Sequence, residues 1–328
     1  MEQSSVKRLT WIDLAKGFLI LAVILGHSTN YWHLKSYLGY FYMPMFFFLS
    51  GYTLKKTEVL PFLKKKVKTL LLPYVGFALL FIAYKSLRLL VFETPFDILE
   101  GLISIVLPYS GRVGGTVYEL WFLPCLFLAE ILFILLLSNK KSIKILTVLL
   151  EIAIFIVGIL FLPYTSLVLA VAFATLFIAF GYVCKSFNNI KVLDSFLAFI
   201  IAIVIHLACF IINTIILENH IDFSSGAINI VLLWLPGVLT GIIAYSYLLK
   251  KICKFSPLEY VGKNSLYFYC FHYIVLSLVT FVVDKVTSIE IIKTIICFVM
   301  VTAITMLVVV IYNYLKKKVK KICKKPSP

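Results

Sequence analysis

Apolar runs long enough to cross a bilayer recur from one end of the chain to the other, separated by short polar gaps rich in lysine. A spanning helix needs about 20 mostly apolar residues, and the spacing predicts ten of them. They lie at about 11–31, 38–54, 69–92, 118–138, 145–162, 165–184, 193–217, 228–249, 265–283 and 291–315. Short alternating segments of the kind a membrane β-barrel requires are not visible. The pattern therefore predicts an all-α, polytopic membrane protein. The polar gaps are too short for a separate soluble domain, so residues 1–328 read as a single integral-membrane domain. The longest gap, 93–117, holds Glu93, Asp97, Glu100 and the Gly-rich stretch Gly111 to Gly115, and Pro163-Tyr164 forms a tight turn between two spans.

Composition agrees: 62% of residues are hydrophobic, 14% are charged and the mean hydropathy is +1.03, against about half and a quarter in a soluble domain. A net charge of +16 would suit nucleic acid, but its placement argues otherwise. Basic residues cluster in short loops beside apolar spans, where the positive-inside rule puts them on the cytoplasmic side. With ten spans and both termini cytoplasmic, 24 of the 31 basic residues fall inside, including Lys7, Arg8, Lys55, Lys56, Lys64 to Lys66, Lys68 and the C-terminal lysines. Six fall outside: Lys35, Lys85, Arg88, Arg112, Lys285 and Lys293. The seven cysteines form no C-x-x-C pair, and none falls in an exterior loop on this topology, so neither disulfides nor a zinc site are expected. The first apolar run is too long for a cleaved signal peptide and contains Asp13 and Lys16.

Those two residues are unusual for a membrane span, because ionisable groups are costly in hydrocarbon and by default mark a site with partners nearby. Asp13 and Lys16 sit one turn apart, and His27 follows Lys16 by eleven positions. That is about three turns and about 16 Å of helix, so one face carries a polar stripe ending in a histidine. From a cytoplasmic start His27 lies in the outer half of the bilayer. It suits either a general base for a hydroxyl or a packed histidine donating to a neighbouring carbonyl. Spacing alone leaves both open.

Other candidates are weaker one by one. Lys64, Lys65, Lys66 and Lys68 before Pro73 form either an inside anchor or a site for a phosphorylated cytosolic ligand. Glu119 and Trp121 open the fourth span on the exterior side; the acid could orient a histidine or bind substrate, and the indole could stack on a sugar or sit at the interface. Glu130 is either a packed, protonated carboxyl or a working one. His206 and Asn213 share a helix face and suit hydrogen bonding across helices. Ser50 and Gly51 permit close helix packing. No P-loop, G-x-S-x-G, H-E-x-x-H or metal-spaced carboxylate cluster is present.

Taken in order, several stretches resemble the acyltransferase family 3 membrane proteins, including the fucose 4-O-acetylase-like group. Asp13-x-x-Lys16-Gly17 with His27 is similar to the family's first helix, and Met43-Pro44-Met45-Phe46-Phe47-Phe48-Leu49-Ser50-Gly51-Tyr52 to its second. Lys65-x-x-Lys68 before Leu72-Pro73-Tyr74 resembles the basic pair of the third helix. Leu120-Trp121-Phe122-Leu123-Pro124 and Gly262-Lys263-Asn264-Ser265-Leu266 through His272 complete the set. Many members have arginine where Lys16, Lys65 and Lys68 stand; lysine keeps the charge and loses the bidentate fork.

The resemblance implies transfer of an acetyl or similar short acyl group from cytoplasmic acetyl-CoA (or another acyl-CoA) to a hydroxyl of a cell-surface or lipid-linked carbohydrate, with no metal. It implies a multi-pass protein of the bacterial plasma membrane working beside proteins of glycan biosynthesis. His27 is then base or transient acyl carrier, with Asp13 and Lys16 at the cytoplasmic mouth. Lys65 and Lys68 meet the CoA phosphates, and Ser50, Glu119, Trp121, Asn264 and His272 face substrate. The rival expectation is a polysaccharide or lipid-linked-sugar exporter, which buried charges in ten spans also suit.

Overall fold

In the computed structural model the described residues are 10–92, 96–106, 118–160, 166–186, 191–219, 230–252 and 255–322. Every regular element among them is helical. Seven helices are long and apolar enough to cross a membrane: Thr10–Ser28, Val59–Val91, Leu167–Ser186, Phe196–Ile216, Val231–Lys251, Ser265–Val283 and Glu290–Val319. The other three expected stretches are also helical. They form Trp32–Thr53, Lys141–Leu160 and the shorter apolar Phe122–Leu136. The expected Pro163-Tyr164 turn, the Gly111 to Gly115 stretch, Glu93, Lys7 and Arg8 lie outside the described residues.

The chain divides into two compact units, Met1–Lys35 with Leu249–Pro328, and Ser36–Leu248. The first unit contains α1 (Thr10–Ser28), α11 (Ser256–Lys263), α12 (Ser265–Val283) and α13 (Glu290–Ile322). Its tightest crossing is between α1 and α11 and is made by glycines. A Cβ on Gly262 would strike the Asp13 carbonyl, and one on Gly17 would strike the Leu258 carbonyl. Small residues let helix backbones approach this closely where hydrophobic burial gives no drive between helices. Polar ties complete the unit. The Asn30 backbone N–H and side-chain amide donate to Glu290 at 3.0 and 3.3 Å. The Asn313 amide donates to Asn264 Oδ1 at 2.8 Å.

The second unit runs through α2 (Trp32–Thr53), α3 (Val59–Lys66), α4 (Leu72–Phe92), α5 (Ile98–Val106), α6 (Phe122–Leu136), α7 (Lys141–Leu160), α8 (Ser166–Ser186), α9 (Phe196–Phe210) and α10 (Val231–Lys251). A π-helical turn, Val67–Leu71, joins α3 to α4. Its cause is local: Pro73 has no N–H and would press on the carbonyl of Thr69 in a regular α-helix, so the backbone widens just ahead of it. Gly51 of α2 and Gly181 of α8 form a second glycine crossing, against Ile178 and Phe48 respectively. Trp234 is fully buried against Phe173 and Phe177. Along α9 the outward side chains Leu197, Ile201, Val204 and Ile205 are exposed hydrocarbon, the surface a lipid-facing helix presents.

Candidate active site

Of the site residues expected from sequence, Asp13, Lys16, His27, Asn264 and His272 lie in the first unit. Ser50, Lys65, Lys68, Glu119 and Trp121 lie in the second. Within the first unit, α1 and α12 bring two histidines together. The His27 and His272 rings are 5.5 Å apart at their centres, tilted by 38°, and the Tyr273 ring stands edge-on to His27 at 6.1 Å. His27, in the last turn of α1, is exposed. His272 is 2% exposed.

The two histidines differ in how they are held. His272 Nδ1 lies 2.8 Å from the Tyr269 carbonyl and 3.2 Å from that of Phe268. A carbonyl only accepts, so the hydrogen sits on Nδ1. The Nε2 atom is buried and has no hydrogen-bond partner among the described residues. An exposed imidazole beside a fixed one can take a proton from a hydroxyl or attack a carbonyl carbon.

Towards the start of α1, Asp13 is buried at the α11 crossing and Lys16 is half-buried. Asn264 sits between α11 and α12. Its amide donates to the Tyr260 carbonyl at 2.8 Å while its oxygen accepts from Asn313, so this side chain ties α13 to the α11–α12 corner.

The second unit holds a cavity of about 640 Å³ lined by Ser50, Thr53, Leu54, Lys55, Lys56, Thr57, Pro61, Phe62, Lys65, Lys66 and Glu130. Four lysines lining one cavity are chemistry for a phosphate-bearing ligand, and the volume is usual for a small-molecule site. Lys65 lines it; Lys68 is exposed and does not. The π turn begins between the two, at Val67. Glu130, which also lines the cavity and is 1% exposed, accepts from Lys66 Nζ at 2.6 Å and Ser50 Oγ at 2.5 Å.

The sequence offered Lys66 as one of the four lysines of a possible phosphate site but not as the partner of Glu130, and it did not single out Lys55 and Lys56 as cavity lining. A lone acid in an otherwise apolar span, facing a basic run elsewhere, was the available signal.

Glu119 is paired with Lys85 at 3.8 Å. Trp121 is 6% exposed and meets Phe122 edge-on at 6.2 Å. His206 follows the bland expectation: fully buried, with Nδ1 2.7 Å from the Gly237 carbonyl of α10. His220 lies outside the described residues. No group of three metal-ligating side chains capable of holding an ion occurs among the described residues. Cys125, Cys184, Cys209, Cys270 and Cys297 form no disulfide among the described residues; Cys253 and Cys323 lie outside them.

The chain matches the family 3 model described as an acyltransferase domain over residues 9–314. No curated protein and no solved structure matches the chain.

Proposed function

The chain belongs to acyltransferase family 3, and from that premise we propose that it moves an acetyl or similar short acyl group from a cytoplasmic acyl-CoA to a hydroxyl of a cell-surface or lipid-linked carbohydrate. The protein is a multi-pass membrane acyltransferase; donor, acceptor and site are our reading. We place it with the fucose 4-O-acetylase-like group, as one catalytic domain of ten crossings in the bacterial plasma membrane, both termini cytoplasmic.

The observation that carries this reading is the His27–His272 pair: an exposed imidazole at the end of a spanning helix, beside a second one whose tautomer the backbone holds. The acceptor hydroxyl gives its proton to His27 as its oxygen attacks the thioester carbonyl. The C–O bond forms, the C–S bond breaks, and the CoA thiolate leaves with a proton. Alternatively His27 takes the acyl group first and passes it on; both routes use the same lone pair.

The lysine-walled cavity supports an acyl-CoA donor. Lys65, with Lys55, Lys56 and Lys66, meets the phosphates there, and Lys68 adds to the field outside it. Ser50 also lines that cavity. Asp13 and Lys16 form the cytoplasmic end of the polar stripe. Glu119, Trp121, Asn264 and His272 are the acceptor-side residues of this reading. Proteins of glycan biosynthesis would supply the acceptor.

The test is release of CoA thiol from acetyl-CoA by purified protein in lipid, given glycan from the producing cell, with the O-acetyl group found on the glycan. His27→Ala should abolish it at unchanged expression. Full activity in that variant would remove His27 from the mechanism, and thiol release without any acylated hydroxyl would remove the carbohydrate acceptor.

A further inference from the structure

His272 has one nitrogen whose place the local fold explains and one whose place it does not. Nδ1 is tied to the carbonyls of Tyr269 and Phe268 one turn back on its own helix. With the hydrogen committed there, the neutral ring presents a lone pair at Nε2. An unpaired charge is not retained in such a buried place, and an unpaired acceptor is costly there too. The ring closest to it is His27, at 5.5 Å, against 6.1 Å for Tyr269 and 6.4 Å for Tyr273. The two rings are not hydrogen-bonded as they stand; a ring nitrogen is about 1.2 Å from the ring centre, so a turn of the exposed His27 ring that aims a nitrogen along the line of centres would bring it to about 3.1 Å from Nε2, within hydrogen-bond reach.

We propose that His272 is the positioning residue of this reaction: its Nε2 accepts the N–H of His27, fixes the His27 tautomer, and leaves the other His27 nitrogen as the lone pair that meets the acceptor hydroxyl. The inference rests on the reading of His27 given above and deepens it. It holds whether His27 is base or acyl carrier, because both roles need that lone pair on the outward nitrogen. The logic is that of any catalytic imidazole whose tautomer is set by what its second nitrogen binds. The unusual part is that a second imidazole, itself anchored by backbone, takes the place of a carboxylate. Such an acceptor brings no negative charge into the span.

Two variants of His272 separate this role from simple packing. In His272→Asn the amide nitrogen occupies the position of Nδ1 and keeps the carbonyl bond, while nothing stands at Nε2. In His272→Gln the amide oxygen reaches the Nε2 position and can accept from His27, while the carbonyl bond is lost.

Positioning predicts that the Asn variant keeps the KM for acetyl-CoA within about twofold and loses on the order of 10²-fold in kcat, as loss of effective general acid–base catalysis would. The Gln variant should retain at least about a tenth of wild-type kcat. An active Asn variant with an impaired Gln variant would overturn the proposal, as would full activity in both. Should neither variant fold, ¹⁵N NMR of histidine-labelled wild-type protein in lipid decides, with the His27 signals assigned by their loss in His27→Asn. His27 should show a single tautomer with one hydrogen-bonded N–H, and a mixture of tautomers would overturn the proposal. Absence of acyl transfer by wild-type protein would instead count against the proposed function, and the NMR result would still stand on its own.

Discussion

The Lys66–Glu130 pair should resist removal of either partner and tolerate removal of both better than their separate losses suggest. Glu130 is 1% exposed, while the Lys66 side chain keeps 21% of its surface at the cavity wall. Breaking a buried pair typically costs about 3–5 kcal/mol, because the partner is left as an uncompensated charge. In Glu130→Gln the stranded lysine can turn into the cavity and find water, and Ser50 can still donate to the new amide. That loss falls nearer the worth of one charged hydrogen bond, about 2 kcal/mol. In Lys66→Met the stranded group is the carboxylate, which is 1% exposed and keeps only Ser50 as a partner, so the loss should reach about 3 kcal/mol. The double variant strands no charge and should lose less than Lys66→Met alone. Thermal unfolding in detergent measures this, at about 2 °C in Tm per kcal/mol for a chain of this size. The expected shifts are about −6 °C for Lys66→Met and about −4 °C for Glu130→Gln, with the double variant between zero and −6 °C. A double variant showing the sum of the two single losses would mean that the side chains act independently, and would refute the reasoning.

Three further outcomes follow from the same geometry. Lys65→Gln should raise the KM for acetyl-CoA about fivefold or more with kcat little changed, whereas Lys68→Gln should change KM less than twofold, because Lys65 lines the cavity and Lys68 does not; initial rates at varied acetyl-CoA check both. Gly262→Ala should cost about 1–3 kcal/mol and most of the activity, since the new methyl meets the Asp13 carbonyl, while Gly76→Ala, where nothing lies within 4 Å of the added carbon, should be neutral or slightly stabilising; Tm and thiol release report both. Trp121→Ala should cost about 3–5 kcal/mol as a buried aromatic truncation, whatever its effect on the acceptor KM; unfolding without substrate measures this.

The helices were legible because each repays its apolar length in a way that does not depend on its neighbours. Their ends were not. Helix α2 begins at Trp32 rather than near 38, and the third apolar run is preceded by a further helix from Val59. In both cases lysines and aromatics interrupt the apolar run and suggested a loop, yet lysine is a good helix former and the chain stays helical past the hydrophobic stretch. The π turn at Val67–Leu71 had a visible cause in Pro73, but the side to which it would turn Lys68 depends on the helix that follows. The same turn separates Lys65 from Lys68, which a regular helix would have kept near one face.

The site was legible one residue at a time and hidden in its pairings. His27 and Glu130 were conspicuous because ionisable groups are rare in apolar spans. Nothing local connects His27 with a histidine 245 positions later, or Glu130 with one lysine of a run. What brings elements of the first unit together is close backbone approach, and that signal was present in plainer residues. Gly17 lies one position after Lys16, and Gly262 two before Asn264. Each removes a side chain at the α1–α11 crossing, and that crossing buries Asp13. The glycines next to the charged residues are therefore as much part of the site as the charges. A side chain at either position would push α11 off α1, and α12, which follows α11 after the single residue Asn264, carries His272.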